Sequence, residues 1–203
     1  MLDAWMRQRI DPPLDRLGRC MAEAGLSANQ VTLGGFLLGL MALPLLATGE
    51  MLPALVVILL NRLSDGLDGA IARHKGTSDF GGYLDIVCDF LFYAAVPFGF
   101  ALADPAANAL PAAFLIFSFV ATGTSFLAYA VFAAKRGITT AARGSKGLYY
   151  LGGLTEGTET ILLFVAICLW PAIFPWAAWI FGALCWLTAA TRIAEAWRSF
   201  GRP

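Results

Sequence analysis

The sequence predicts an all-α polytopic membrane protein, with six transmembrane helices behind an N-terminal amphipathic helix that lies in the membrane interface. Hydrophobic residues make up 59% of its 203 positions, and mean hydropathy is +0.70, above the range of soluble domains. Apolar runs long enough to cross a bilayer recur along the whole chain. Cationic residues gather in alternate loops, as a chain that repeatedly recrosses a membrane requires.

The elements follow in order. Asp11 suits a cap, Pro12 a first turn and Gly25 a helix end, which marks an interfacial helix over about 11–24. Leu14, Leu17 and Met21 share one face, and Arg16, Arg19 and Glu23 lie off it. A first span covers about 27–47. Ser27 and Gln30 form a capping box at its start, and Gly35 and Gly39 are spaced for helix packing. The second span, about 52–73, bears Asn61, Asp65, Asp68 and Ala72 on one stripe, with Arg62 on a neighbouring face as a buried partner for a carboxylate. The third, about 80–103, holds Asp85 and Asp89 in its first turns. A fourth covers about 107–134, a fifth about 148–170 and a sixth about 176–196. No repeat or long linker divides the chain, so residues 1–203 read as one domain, with 1–26 on the surface and 27–198 in a six-helix bundle.

Charge placement supplies the orientation. Apart from Arg62, every Lys and Arg belongs to the N-terminal segment, the second-to-third turn, the fourth-to-fifth loop or the C-terminal tail. The loops at Gly49-Glu50, Asp104-Pro105 and Pro171–Pro175 have none. Both termini and the aspartate site are therefore expected on the cytoplasmic side, with Trp170, Trp176 and Trp179 as an aromatic belt opposite. A formal net charge of zero gives no case for nucleic-acid binding. The first twenty residues are too charged for a signal-peptide core. Cys20, Cys88, Cys168 and Cys185 lack metal-knuckle spacing, and His74 is the only histidine.

Four carboxylates in this setting demand an explanation. An Asp at mid-span costs about 2.5–3.5 kcal/mol on insertion scales. Asp65 and Asp68 are three apart and Asp85 and Asp89 four apart, so each pair shares a helix face. The turn-rich segment between them lets the two helices run antiparallel as neighbours, presenting four carboxylates to one point about 10 Å below the surface. Such an all-oxygen site suits a hard divalent cation, Mg²⁺ or Mn²⁺. A cation-coupled transporter would also place carboxylates here, and that reading stands beside an enzyme.

The residues Asp65-x-x-Asp68-Gly69-x-x-Ala72-Arg73, then Gly81-x-x-x-Asp85-x-x-x-Asp89, resemble the signature of the CDP-alcohol phosphotransferases, integral-membrane enzymes of phospholipid synthesis. One departure is visible: seven residues separate Arg73 from Gly81, where the family usually has eight. Gly81, rather than Gly82, keeps the family's spacing to Asp85. The resemblance implies two divalent ions, Mg²⁺ or Mn²⁺, held mainly by Asp65, Asp68 and Asp85. Asp89 would complete the site and act as general base. It implies transfer of a phosphatidyl group from CDP-diacylglycerol, or a related CDP-linked lipid, to the hydroxyl of an alcohol acceptor, with release of CMP. The CDP contacts would be Asp65, Gly69, Ala72, Arg73, Thr77, Gly81 and Asp85. Asn29 and Thr32, the remnant of a Pro-Asn-x-x-Thr motif, would add to them, or else serve only as helix caps. A homodimer among membrane lipids, in a bacterial inner (cytoplasmic) membrane, is the implied setting. A CDP-choline or CDP-ethanolamine type enzyme is the competing branch.

Two clusters bear on the acceptor. Lys135, Arg136, Arg143 and Lys146 lie where several family members bind an acceptor phosphate, and they equally suit anchoring to anionic lipid. Glu156 and Glu159 share a face of the fifth span, for a cationic acceptor or for pairing with Arg62. These point to different acceptors.

Overall fold

The computed structural model describes residues 3–137 and 153–201, with side chains from residue 10 onward. Among them it is all-helical: α1 (Asp3–Glu23), α2 (Ala28–Leu40), α3 (Ala42–Ala47), α4 (Met51–Lys75), α5 (Asp79–Ala103), α6 (Pro105–Lys135), α7 (Gly157–Leu169), a 3₁₀ turn (Pro171–Ile173) and α8 (Phe174–Phe200).

Local chemistry accounts for the boundaries. The Ser27 hydroxyl accepts from the Gln30 amide at 3.3 Å while the Gln30 side chain accepts from the Ser27 amide at 2.9 Å, the expected capping box. The first span is broken at Met41, between α2 and α3. Pro44 lacks the N–H that would bond Leu40, and its ring clashes with that carbonyl. Gly76 ends α4 with φ 102°, a conformation that favours glycine. Ser78 and Asp104 cap α5 and α6 through the Gly81 and Ala107 amides.

Among the described residues, four helical stretches are long and apolar enough to cross a membrane: Ala28–Ala47, Asp79–Ala103, Pro105–Lys135 and Pro171–Phe200. The 25-residue α4 has the length, but its charged second half sets it apart. The apolar helix α7 has 13 residues.

Three expectations change. The first helix starts well before Asp11, which therefore caps nothing, and Pro12 and Pro13 lie inside it. Its buried side is Gly18 and Ala22, with Leu14 and Met21 partly covered, whereas Leu17 is 48% exposed. Where a fifth span is expected from about Leu148, the described helix α7 begins at Gly157, since 153–156 are non-helical and Glu156 is the N-cap. Arg192, assigned by sequence to a cationic tail, is buried on α8.

The core runs through Leu46, Ile58, Phe92, Val96, Phe100, Leu115, Phe164, Ile167 and Phe174, all at most 1% exposed. Phe100 and Phe174 stack at 4.4 Å, and Phe92 meets Phe164 edge-on at 6.4 Å. Helix α2 packs on both α4 and α5, and α6 packs on α5 and α8. The two motif helices are antiparallel across their turn but touch each other little along their backbones; both rest on α2. Side chains nevertheless join α4 to α5, where Arg62 reaches Asp89 and Tyr93, and the cleft beside that contact, bordered by α2, becomes the site.

Candidate active site

Close packing of α2 on α4 comes from missing side chains. Gly35 and Gly39 face Ser64 and Asn61, and a Cβ on Gly39 would meet the Asn61 amide at 2.6 Å and the Phe92 ring at 2.9 Å. The Asn61 amide donates to the Gly35 carbonyl at 2.8 Å. The GxxxG spacing is thus a helix-packing device. It brings Thr32 over α4, where its hydroxyl donates to Asp68 Oδ2 at 2.5 Å. Thr32 and Asp68 are 9% and 5% exposed, so the hydroxyl orients a carboxylate shielded from water. The partner Asn29 lies elsewhere: its Oδ1 sits 2.9 Å from where a Gly81 Cβ would be, which ties α2 to the start of α5. Gly82 has open space around it, so the close approach belongs to Gly81.

The four aspartates divide three to one. Oxygens of Asp65, Asp68 and Asp85 lie within 4.8 Å of one another. Asp89, one turn further along α5, instead accepts from the Arg62 Nη2 at 2.9 Å, and Arg62 Nη1 lies 3.9 Å from Asp65. The expected carboxylate partner of Arg62 is therefore chiefly Asp89. The cleft they share is lined also by Gly35, Phe36, Asn61 and Cys88. Three converging hard oxygen donors, with no nitrogen or sulfur among the described ligand set, fit Mg²⁺ or Mn²⁺.

Around this centre, Gly69 leaves open space, with only the Arg73 Nη1 at 3.6 Å from a would-be Cβ. Ala72 is partly covered, and Thr77 is exposed in the α4–α5 turn. Arg73, at the end of α4, donates through Nε (3.0 Å) and Nη2 to Asp15 of α1. Leu14 fills the space over Gly66, and Gly18 seats on Ala70, so α1 lies along the outer face of the motif helix.

The acceptor candidates are not brought to the carboxylates by any contact among the described residues. Arg136 donates to the Ser199 and Phe200 carbonyls at 3.2 Å, closing the end of α8, and Lys135 is exposed. Arg143 and Lys146 lie outside the described residues. Glu156 and Glu159 form a capping box at the start of α7, with Glu156 Oε1 accepting from the Gly153 amide at 2.8 Å. That places them at a helix end, where a carboxylate favours the exposed amides, rather than turns deep in a span.

Sequence reasoning missed Arg192. At 8% exposure it donates to the Thr122 carbonyl at 3.0 Å and lies over the Phe126 ring at 5.5 Å. Beside it, Thr188 meets Thr155 at 3.0 Å. The signal that could have found it was Arg192 sharing a helix face with the small residues Thr188, Ala189 and Cys185, all buried.

A family model described as CDP-alcohol phosphatidyltransferase matches residues 25–192. The chain belongs to the CDP-alcohol phosphatidyltransferase family. It is an integral membrane protein and a phosphatidyltransferase enzyme. The inner membrane protein YnjF of Escherichia coli (strain K12) is 58% identical over 193 residues, covering 95% of this chain and 94% of that one. Phosphatidylinositol phosphate synthase of Mycobacterium marinum is 29% identical over 196 residues, 91% of this chain and 80% of that one. Archaetidylinositol phosphate synthase of Pyrococcus horikoshii is 38% identical over 98 residues, 48% of this chain and 52% of that one. Among solved structures, Mycobacterium tuberculosis phosphatidylinositol phosphate synthase with CDP-DAG bound matches with a TM-score of 0.66 at 24% identity, covering 93% and 94% of the two chains. The same enzyme in complex with manganese and citrate gives 0.68 at 23%, over 91% and 88%. At those identities the phosphatidyltransferase fold is what is shared.

Proposed function

We propose that this phosphatidyltransferase moves a phosphatidyl group from CDP-diacylglycerol to the hydroxyl of an alcohol and releases CMP. The observation that carries it is the convergence of Asp65, Asp68 and Asp85 within 4.8 Å, beside the separately held Asp89. Mg²⁺ or Mn²⁺ held by the three would supply charge neutralisation for the diphosphate. Asp65 and Asp85 are only partly covered, so they face the cleft, while Thr32 holds Asp68 from behind. The open face of Gly69, with Ala72, leaves room for the nucleotide, and Arg73 offers its Nη1 edge to phosphate. Asp89 takes the proton from the acceptor hydroxyl as it attacks the lipid-side phosphorus, and the bond to CMP breaks. Asn29, Thr77 and Gly81 line the nucleotide's entry between α2 and the α4–α5 turn.

The acceptor class we favour is a phosphorylated polyol. Two relatives are named archaetidylinositol phosphate synthase and phosphatidylinositol phosphate synthase, and Lys135 and Arg136 at the end of α6, with Arg143 and Lys146 following in the sequence, make a basic segment suited to an acceptor phosphate or to anionic lipid. We place the chain across a bacterial inner membrane as one domain. Helices α2–α3, α4, α5, α6, α7 and α8 form six spans over 27–198, α1 lies in the interface, and both termini are cytoplasmic. The positive-inside distribution supports this, and α7, about 20 Å long over its 13 residues, would cross together with its flanking residues. A homodimer is the assembly we expect.

The test is CMP release by purified protein in detergent with CDP-diacylglycerol and Mg²⁺. Inositol 1-phosphate, glycerol 3-phosphate, inositol and serine are offered singly, and Asp89→Asn serves as control. Release with one acceptor, lost in the variant, establishes the reaction; silence from metal-loaded protein across the panel refutes it.

A further inference from the structure

Arg62 is not one of the eight positions of the family signature, yet it is the most heavily engaged side chain at the site. Its side chain is 9% exposed. The guanidinium donates to Asn61 Oδ1 through Nε and Nη2, to Asp89 through Nη2 at 2.9 Å, and to the Tyr93 hydroxyl through Nη1 at 3.1 Å. The rings of Phe92 and Tyr93 cover it at 4.6 and 5.0 Å. Asn61 is in turn held by the Gly35 carbonyl, so the whole arrangement is anchored to the α2–α4 packing. An arginine cannot shed its proton. Moving away would cost the guanidinium its bonds to Asp89, Asn61 and Tyr93 in a mostly buried position.

Resting on the metal-dependent reading above, we propose that Arg62 is the site's resident cation. By neutralising Asp89 it limits the nucleotide-free enzyme to one divalent ion, at Asp65, Asp68 and Asp85. The charge count argues for it. With the carboxylates ionised, as holding a metal requires, the four of them and one guanidinium amount to three negative charges, of which one divalent ion leaves a single one uncompensated. A second would make the cleft net positive and would sit near a guanidinium that already occupies Asp89, in surroundings where like charges repel strongly. A diphosphate adds negative charge of its own and makes room for the second ion expected from the family resemblance. Arg62 is thus a positioning residue for Asp89: it holds the base apart from the metal ligands until substrate arrives.

The experiment counts Mn²⁺ bound per chain of purified full-length protein by electron paramagnetic resonance of the free ion. Wild type is expected to take one ion alone and two with saturating CDP. Arg62→Met is expected to take two without CDP, and Arg62→Lys one. Because Arg62→Met removes a buried cation from the cleft and risks misfolding, Asp89→Asn is titrated as well. It is expected to bind its one ion within about twofold of wild-type affinity, whereas loss of a metal ligand or its close support weakens binding about tenfold or more. Two ions on wild type without CDP, one with it, or a tenfold weakening in Asp89→Asn each overturns the proposal. CMP release is followed in parallel. Protein that binds Mn²⁺ as described yet releases no CMP refutes the transfer reading and leaves the role of Arg62 standing.

Discussion

Thr32→Val removes a hydroxyl shared between Asp68 and the Ala28 carbonyl one turn back on α2. The Thr32 hydroxyl donates to Asp68 Oδ2, and both residues are buried, at 9% and 5% exposure. Valine keeps the branched shape, so α2 still packs on α4, but it presents a methyl group to a shielded carboxylate. A hydrogen bond to a charged group contributes about 1.5–3 kcal/mol, which corresponds to about 10- to 150-fold in an equilibrium constant. Outer-sphere support of metal ligands typically shifts affinity over a similar span, about 10- to 100-fold. The expected result is therefore at least a tenfold rise in the Mn²⁺ concentration needed for half-maximal CMP release, and an equal loss in direct Mn²⁺ binding. Thr32→Ser, which keeps the hydroxyl, should recover most of it. Thermal unfolding of metal-free protein separates this effect from global destabilisation. If Thr32→Val binds Mn²⁺ within twofold of wild type, the carboxylate needs no help from α2, and the account of Asp68 as an oriented ligand is wrong.

Other consequences can be checked with the same preparation. Asp89→Asn should lower kcat by about 10²–10⁴-fold with little change in KM for CDP-diacylglycerol; a loss confined to KM would contradict its role as base. Gly39→Ala should destabilise by about 1–3 kcal/mol in denaturant or thermal unfolding, because its Cβ would meet Asn61 at 2.6 Å and Phe92 at 2.9 Å. Unchanged stability would mean that α2 and α4 are not packed as described. Asp15→Asn frees Arg73 from α1; since the pair is nearly half exposed on both sides, the expected change is at most about fivefold in KM for CDP-diacylglycerol. It should shrink as salt is raised, and a tenfold fall in kcat would refute a merely orienting role.

Much of this protein was legible before folding is considered, because it depends on near neighbours in the chain. The Ser27 and Gln30 capping box, the helix end at Gly25, and the pairing of Asp65 with Asp68 and of Asp85 with Asp89 all follow from residues close together in the chain. So does the arginine-with-carboxylate reading of Arg62, since an interior guanidinium needs a partner. The fold class followed from apolar composition and its interruption by charged turns.

Local rules failed where two elements compete for one side chain. Arg192 lies about two turns from a helix end, where reaching out to water and turning inward are equally open; contacts such as those to Thr122 and Phe126 of α6 decide for inward. Glu156 and Glu159 fit a helix face as readily as a helix start, and the non-helical backbone at 153–156 chooses the start. Asp15 holds Arg73 because α1 lies against α4, a juxtaposition that no spacing between residues 58 apart encodes. The division of the four aspartates is the plainest case. Helical periodicity places each pair on a face, but the way α4, α5 and α2 meet sends three carboxylates to one point and Asp89 to Arg62. The sequence by itself determined which residues bear the chemistry, because periodicity is a property of one helix. Only the tertiary structure decided which carboxylate serves with which partner, because that depends on distances between helices.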